Sequence, residues 1–215
     1  MQLAILGATG QTGLELVKLA LQSNHNVIAV VRDPQKMKIQ DDNLKVVQAD
    51  VFSATSLEPQ LENVDAVISC LGFARTSVVT GYSESMKSIT DAMRKKNVKR
   101  LVTMTAFYTD IESAKNQGFL VNWILIPMLK PILKNMREME LQLEAECKDL
   151  QWTAVRPPGL TTGPATSVEM RIEEDKFLTT NSDAKRRVAR GDIAKVMLDI
   201  AVSQKYLNKC VAVNY

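Results

Sequence analysis

The sequence predicts an α/β fold: a doubly wound, mainly parallel sheet with helices on both faces and small excursions after the fifth and sixth strands. Three observations predict it. Short, fully apolar runs alternate with segments of helical periodicity, and strands buried on both faces belong to parallel sheets covered by helices. A glycine triplet, Gly7, Gly10 and Gly13, stands between the first such run and the first helix. The chain has 215 residues, 46% hydrophobic and 24% charged, which suits one domain, spanning 1–215, with a sizeable core.

The elements follow in order. Gln2–Leu6 is an apolar strand ended by glycine. Residues 12–23 carry Leu14, Leu16, Val17, Leu19, Ala20 and Leu21, a stripe wide enough for a helix buried against a sheet. Asn26–Val31 is a β-branched run and the second strand; Leu44–Gln48 is the third. Residues 56–61 read as a weak helix, and 64–70 (VDAVISC) as a fourth strand ended by Leu71 and Gly72. Residues 83–96 place Met86, Ile89, Thr90 and Met93 at helical spacing, and 100–105 form the fifth strand. Residues 134–148 are rich in strong helix formers. A sixth strand, 152–156, is stopped by Pro157 and Pro158. Residues 192–202 form a helix with Asp192 in its first turn, and 210–213 a last strand.

Two regions break the alternation: a long insertion at 107–133 and a polar, threonine-rich excursion at 159–187. Both follow strand ends, where ligands of such sheets lie, so both are candidates for building a substrate pocket. Residues 119–133 (FLVNWILIPMLKPIL) are the most apolar stretch. They are too short to span a membrane and are interrupted by Asn122, Pro127, Lys130 and Pro131. The segment reads as a helix packed over a core or site, with an interfacial or partner-binding surface as the alternative.

Composition excludes several function classes. Twenty-seven Lys and Arg against 24 Asp and Glu give +3, with no basic block. That does not point to nucleic acid, and the densest cluster, Lys185, Arg186 and Arg187, reads as a solvated face. The lone histidine, His25, rules out triads and zinc clusters that need two. Cys70, Cys147 and Cys210 are scattered, which predicts a reducing compartment rather than a disulfide framework. With no signal peptide visible, the expected location is cytoplasmic.

The chemistry concentrates in Gly7-Ala8-Thr9-Gly10-Gln11-Thr12-Gly13. Gly7 makes the tight turn, Gly10 lets backbone approach a pyrophosphate, and Gly13 lets the helix pack on the sheet. Phosphates then meet free N–H groups at the helix N-terminus, with Thr9 and Thr12 adding hydroxyls. The spacing G-x-x-G-x-x-G differs from the G-x-G-x-x-G of most dehydrogenases, but its place between strand and helix is informative. After the second strand comes Arg32, with Lys36 and Lys38 beyond it. A guanidinium there can pair with a 2′-phosphate, which favours NADP(H), while Asp33 leaves dual use open. Asp50 and Val51, after the third strand, are expected beside an adenine, with a simple turn aspartate as the alternative. Gly72 permits close approach of the chain to the cofactor, whereas Cys70 reads as a buried small residue. At the end of the fifth strand Thr105 is the preferred hydroxyl at the reaction centre, with a strand-terminal threonine as the plain alternative. No tyrosine is followed four residues later by lysine, and Gly81-Tyr82-Ser83-Glu84-Ser85 lacks the last glycine of a nucleophile elbow. Any hydride transfer therefore relies on proximity, with solvent or a weak hydroxyl supplying the proton.

The runs ILGATGQTG, VVRDP, Ala49-Asp50-Val51 and 102–107 resemble the atypical short-chain dehydrogenase/reductase superfamily. Within it they are most similar to the NADPH-dependent flavin reductase (biliverdin-IXβ reductase) group. LQWTAVRPP at 150–158 and RVARGDIA at 187–194 extend the resemblance over nearly the whole chain. It implies a Rossmann-type fold that binds NADPH along Gly7–Gly13, Arg32, Lys36, Asp50, Val51, Leu71 and Gly72, with Pro157 and Pro158 beside the cofactor. Thr105 stands where that group has a serine, and Gly159 where it has a histidine after the proline pair, which removes an imidazole from the substrate side. Phe107, Tyr108 and Trp123 are candidate aromatic walls for a flat substrate, or else core aromatics. Two functions follow as expectations. One is an NADPH-dependent reductase of a flat conjugated acceptor (flavin, biliverdin-type tetrapyrrole or quinone). The other is an NADP(H)-binding redox sensor without catalysis, as in NmrA-like proteins. Beyond a small-molecule acceptor, the expected state is a monomer or weak homodimer, with no membrane span, no nucleic acid and no metal.

Overall fold

The computed structural model describes residues 1–74, 78–114, 119–177 and 187–215. Lys185 and Arg186 of the basic cluster lie outside them. The chain begins β1 (Gln2–Leu6), α1 (Gln11–Gln22), β2 (Asn26–Val31), β3 (Leu44–Gln48), α2 (Ala54–Leu57), β4 (Ala66–Ser69), α3 (Gly81–Lys95) and β5 (Arg100–Met104). It continues with α4 (Ile126–Glu146), β6 (Gln151–Arg156), β7 (Gly159–Thr161), β8 (Arg171–Glu174), β9 (Arg187–Ala189), α5 (Arg190–Ser203) and β10 (Lys209–Asn214). An eight-stranded sheet runs β3-β2-β1-β4-β5-β6-β10-β8, and β7 pairs with β9 separately. Only β8 is antiparallel, against β10; the other pairs of the large sheet are parallel. The order reverses between β1 and β4, which places the switch point beside the glycine turn.

The period of two along each strand divides the core. Leu3 and Ile5 join Leu16, Val17, Ile193 and Met197 on the face covered by α1 and α5. Ala4 and Leu6 join Met86, Ile89, Met139 and Leu143 on the face covered by α3 and α4. A third, smaller cluster of Val121, Ile126 and Leu133 lies under the start of α4, with Tyr108 and Ile111 against it.

Three differences from the sequence reading have physical reasons. Helix α4 begins at Ile126 rather than 134, after a wide π-type turn at Val121–Leu125. Pro127 falls in its first turn, where an N–H lacks an intrahelical partner in any case. Strand β8 carries the charged sequence RIEE and was missed because an edge strand shows one face to water; only Ile172 packs on the core. The short β7–β9 pair was missed because its three-residue strands lack a detectable period.

The glycine turn fixes how α1 meets β1. Gly7 has φ +73°, and a Cβ on it would lie 2.7 Å from the carbonyl oxygen of Cys70. A Cβ on Gly13 would lie 2.2 Å from the carbonyl oxygen of Gly7. Both obstacles are backbone, so neither can swing aside. Gly13→Ala should therefore lower stability by roughly 1–3 kcal/mol or more, as overpacking does; a urea unfolding midpoint equal to that of the unsubstituted protein would contradict this.

Candidate functional site

A cleft of about 540 Å³ opens at the carboxyl ends of the strands. Its floor is the glycine turn, with Gly7, Thr9, Gly10, Gln11 and Thr12 on its surface. Helix α1 starts bare: Gly10 offers no capping side chain, and no acidic residue stands in the first turn. Its leading N–H groups and the positive end of the helix dipole are thus left for an anion. On the β2 side the cleft is lined by Arg32, Lys36, Val51 and Phe52. Asp33 is drawn away from it, accepting from the Gln35 amide at 3.1 Å and lying 3.9 Å from Lys36. On the β4 side Cys70, Leu71, Gly72 and Phe73 form the wall. A Cβ on Gly72 would meet nothing within 4 Å, so here the glycine leaves open space instead of relieving a crowded backbone. Burial pushes the Cys70 thiol up to about 12, which keeps it protonated and inert at neutral pH.

Elsewhere the lining of the cleft is largely apolar and aromatic. Met104, Met136 and Leu160 line it with Tyr82 and Arg190. Phe73 meets Tyr82 edge to face at 4.9 Å and Phe52 at 5.7 Å. Burial raises the Tyr82 phenol above its ordinary value, against the smaller lowering from the Phe73 amide that donates to it. Phe52, Phe73, Tyr82 and Arg190 were not singled out from sequence. Phe52 and Phe73 directly follow Val51 and Gly72, so the adjacency was a usable signal. Arg190 and Tyr82 reach the cleft only through helix placement.

Several residues expected at the site do not line the cleft. Gly13 is buried in the helix–strand contact. Asp50 serves its own turn, accepting from the Phe52 amide at 3.0 Å. Pro157 uses its carbonyl to accept from the Phe107 amide at 2.8 Å, while Pro158 is buried and Gly159 opens β7. Phe107 is buried, edge to face with Tyr108, and Tyr108 packs on the third cluster with φ +66°. Trp123 is 72% exposed and stacks on Phe119 instead.

Thr105 also turns away from the cleft. Strand alternation gives Met104 to the cleft and sends the Thr105 hydroxyl inward, where it donates to Glu140 Oε1 at 2.8 Å. Glu140 is fully buried and accepts from Arg156 Nε at 2.9 Å and Nη2 at 2.8 Å. Thr109 and Arg137 add donors at 3.3 Å each. The Arg156 guanidinium also donates to the Lys176 carbonyl and lies 4.2 Å from the Phe177 ring centroid. Burial alone pulls this guanidinium down, and its bonds to Glu140 more than reverse that. The network ties α4, the end of β5 and β6 into one unit. His25 lies apart, 3.4 Å from the terminal amine of Met1.

A glycine turn pressed against the neighbouring strand, opening a bare helix at the switch point of a doubly wound sheet, defines an NAD(P)-binding Rossmann protein. A family model described as NAD(P)H-binding matches residues 7–204, and the chain belongs to that family. It is 23% identical over 201 residues to the uncharacterized protein YwnB of Bacillus subtilis, covering 93% of this chain and 91% of that one. Among solved structures it resembles a candidate NADH-flavin reductase from Streptococcus pneumoniae (TM-score 0.80, 20% identity, 100% and 99% of the two chains). It also resembles ChuY, an anaerobilin reductase from Escherichia coli O157:H7 (TM-score 0.77, 17% identity, 99% and 96%). At these identities the structural likenesses show the fold.

Removing one partner of the buried pair leaves the other charge stranded. Glu140→Gln should destabilise the protein by about 3–5 kcal/mol, whereas Glu140→Leu combined with Arg156→Met should cost clearly less. Urea unfolding of both variants checks the order; a double variant as unstable as the single one would contradict it.

Proposed function

We propose that the chain is an NADPH-dependent reductase of a flat conjugated acceptor, a flavin, biliverdin-type tetrapyrrole or quinone, within the atypical short-chain dehydrogenase/reductase superfamily. One observation carries this reading: a single cleft joins a bare, glycine-lined helix N-terminus and the exposed cations Arg32 and Lys36 to the apolar side chains of Met104, Met136 and Leu160. The residues present fit a dinucleotide. The turn at 7–13 would hold the pyrophosphate on backbone N–H groups, with Thr9 and Thr12 as further donors. Arg32 and Lys36 are exposed on the cleft and would take a 2′-phosphate; Asp33, engaged with its own turn, is poorly placed to compete for a ribose hydroxyl. When bound, NADPH supplies the hydride.

The protein's part is binding, orientation and exclusion of water. Met104, Met136 and Leu160 offer an apolar surface against which a planar acceptor would lie flat, with Phe73 and Tyr82 as the rim. Thr105 acts as a positioning residue in this scheme: its hydroxyl proton is committed to Glu140, so the proton that accompanies reduction comes from solvent. The names of the two structural relatives, a candidate flavin reductase and an anaerobilin reductase, support the acceptor class. A second reading is an NADP(H)-binding redox sensor without catalysis. It is favoured by the same engagement of Thr105, which turns that hydroxyl away from the cleft.

Turnover separates the two. Loss of reduced-nicotinamide absorbance should accelerate on adding FMN, biliverdin or a quinone to protein and NADPH. No acceleration over the protein-free rate with any of them would refute the reductase and leave the sensor. Cofactor choice has its own test. Arg32→Ala should weaken NADPH binding by about 1.5–3 kcal/mol, the worth of a lost charge-assisted bond, while changing NADH little. Calorimetric titration with both cofactors reads this directly, and equal losses for both would remove Arg32 from the 2′-phosphate site.

A further inference from the structure

We propose that the start of α4 and the turn before it form a docking surface for a lipid bilayer carrying anionic headgroups. Residues 119–128 are apolar on both sides of a helical segment. The inner side, Val121 and Ile126, packs on the third cluster. The outer side presents Phe119, Leu120, Trp123, Ile124 and Met128 to water, five of the twelve large apolar side chains exposed among the described residues. Soluble surfaces carry single apolar residues routinely, but a contiguous apolar patch marks a binding surface. Phe119 and Trp123 are 71% and 72% exposed and stack on each other, with ring centroids 6.2 Å apart, rather than on the core.

Charge decides the occupant. The sequence has no acidic residue between Glu112 and Glu138. Within α4, Pro127, Lys130 and Lys134 are exposed along one line at i, i+3 and i+7, with Lys134 also 4.0 Å from Glu138. Aromatic and branched apolar residues beside lysines, whose stems can lie along apolar surface while the ammonium groups reach headgroups, suit an anionic membrane interface. A second copy suits it less. Lysines border the patch, and lysine is depleted in protein interfaces. No helix among the described residues is long and apolar enough to cross a membrane, so the segment would lie on the surface.

The chain carries its own reporter. Of its two tryptophans, Trp123 is on the patch and Trp152 is 3% exposed in the core. The full chain should float with phosphatidylcholine vesicles that contain phosphatidylglycerol, with a blue shift of tryptophan emission. It should float far less with phosphatidylcholine alone, and added salt should release it. Phe119→Ser with Trp123→Ser should cut the bound fraction about ten-fold or more, since binding scales with buried apolar area. Should that variant melt early in circular dichroism, Lys130→Glu with Lys134→Glu provides the second test, and it should erase the preference for phosphatidylglycerol. Failure to float with either vesicle would overturn the proposal. So would a concentration-dependent dimer in vesicle-free solution that the patch substitutions dissolve, because the patch would then be covered by a second copy.

Discussion

The carbonyl of Gly7 occupies the space that a side chain at position 13 would need, 2.2 Å from where its Cβ would stand. Everything at the cleft depends on that contact. Because residue 13 has no side chain, α1 can settle on the turn that ends β1. The same turn presses against the end of β4, where a Cβ on Gly7 would come within 2.7 Å of the Cys70 carbonyl. Two strands and a helix thus meet with no side chain between them. The helix opens without a cap at the point where the strand order reverses, and the cleft is the space left above the junction.

The opposite side is held by a different kind of contact. Glu140 and Arg156 bring opposite charges into the core, where each would be costly alone and where neutral packing could match them for stability. Their benefit is positional. The carboxylate gathers Thr105 and Thr109 from the segment after β5, and the guanidinium gathers Lys176 and Phe177 from the excursion after β6. The segments that break the alternation are therefore anchored from beneath. Met104 and Leu160, which flank those anchors, are the side chains left facing the cleft. The cleft is rigid backbone at one end and side chains on a buried ionic post at the other.

Much of this was legible in the residues. The glycine spacing located the turn, and Arg32, Lys36, Val51, Leu71 and Gly72 all line the cleft beside it. These positions are local consequences of where a strand ends, which a run of apolar residues followed by glycine reveals. Thr105 shows where that logic stops. Its place at a strand end is legible in the sequence, but the direction of its side chain depends on a carboxylate 35 residues further on. Trp123 shows the same limit. Its apolar surroundings were evident, yet whether it faces cleft, core or water follows from how the turn at Val121–Leu125 rotates the helix.

By itself, then, the sequence determined the doubly wound order of elements, the glycine turn and the cations beside it, because each is set by local periodicity, strand ends and steric room. Only the tertiary structure decided the rest. It gave Tyr82 and Arg190 to the cleft, withdrew Thr105, Phe107 and Trp123 from it, and set the charged strand β8 at the sheet edge. Those outcomes turn on long-range partners, chiefly the buried Glu140–Arg156 pair and the packing of α4, and neither composition nor spacing encodes which side chain will meet which.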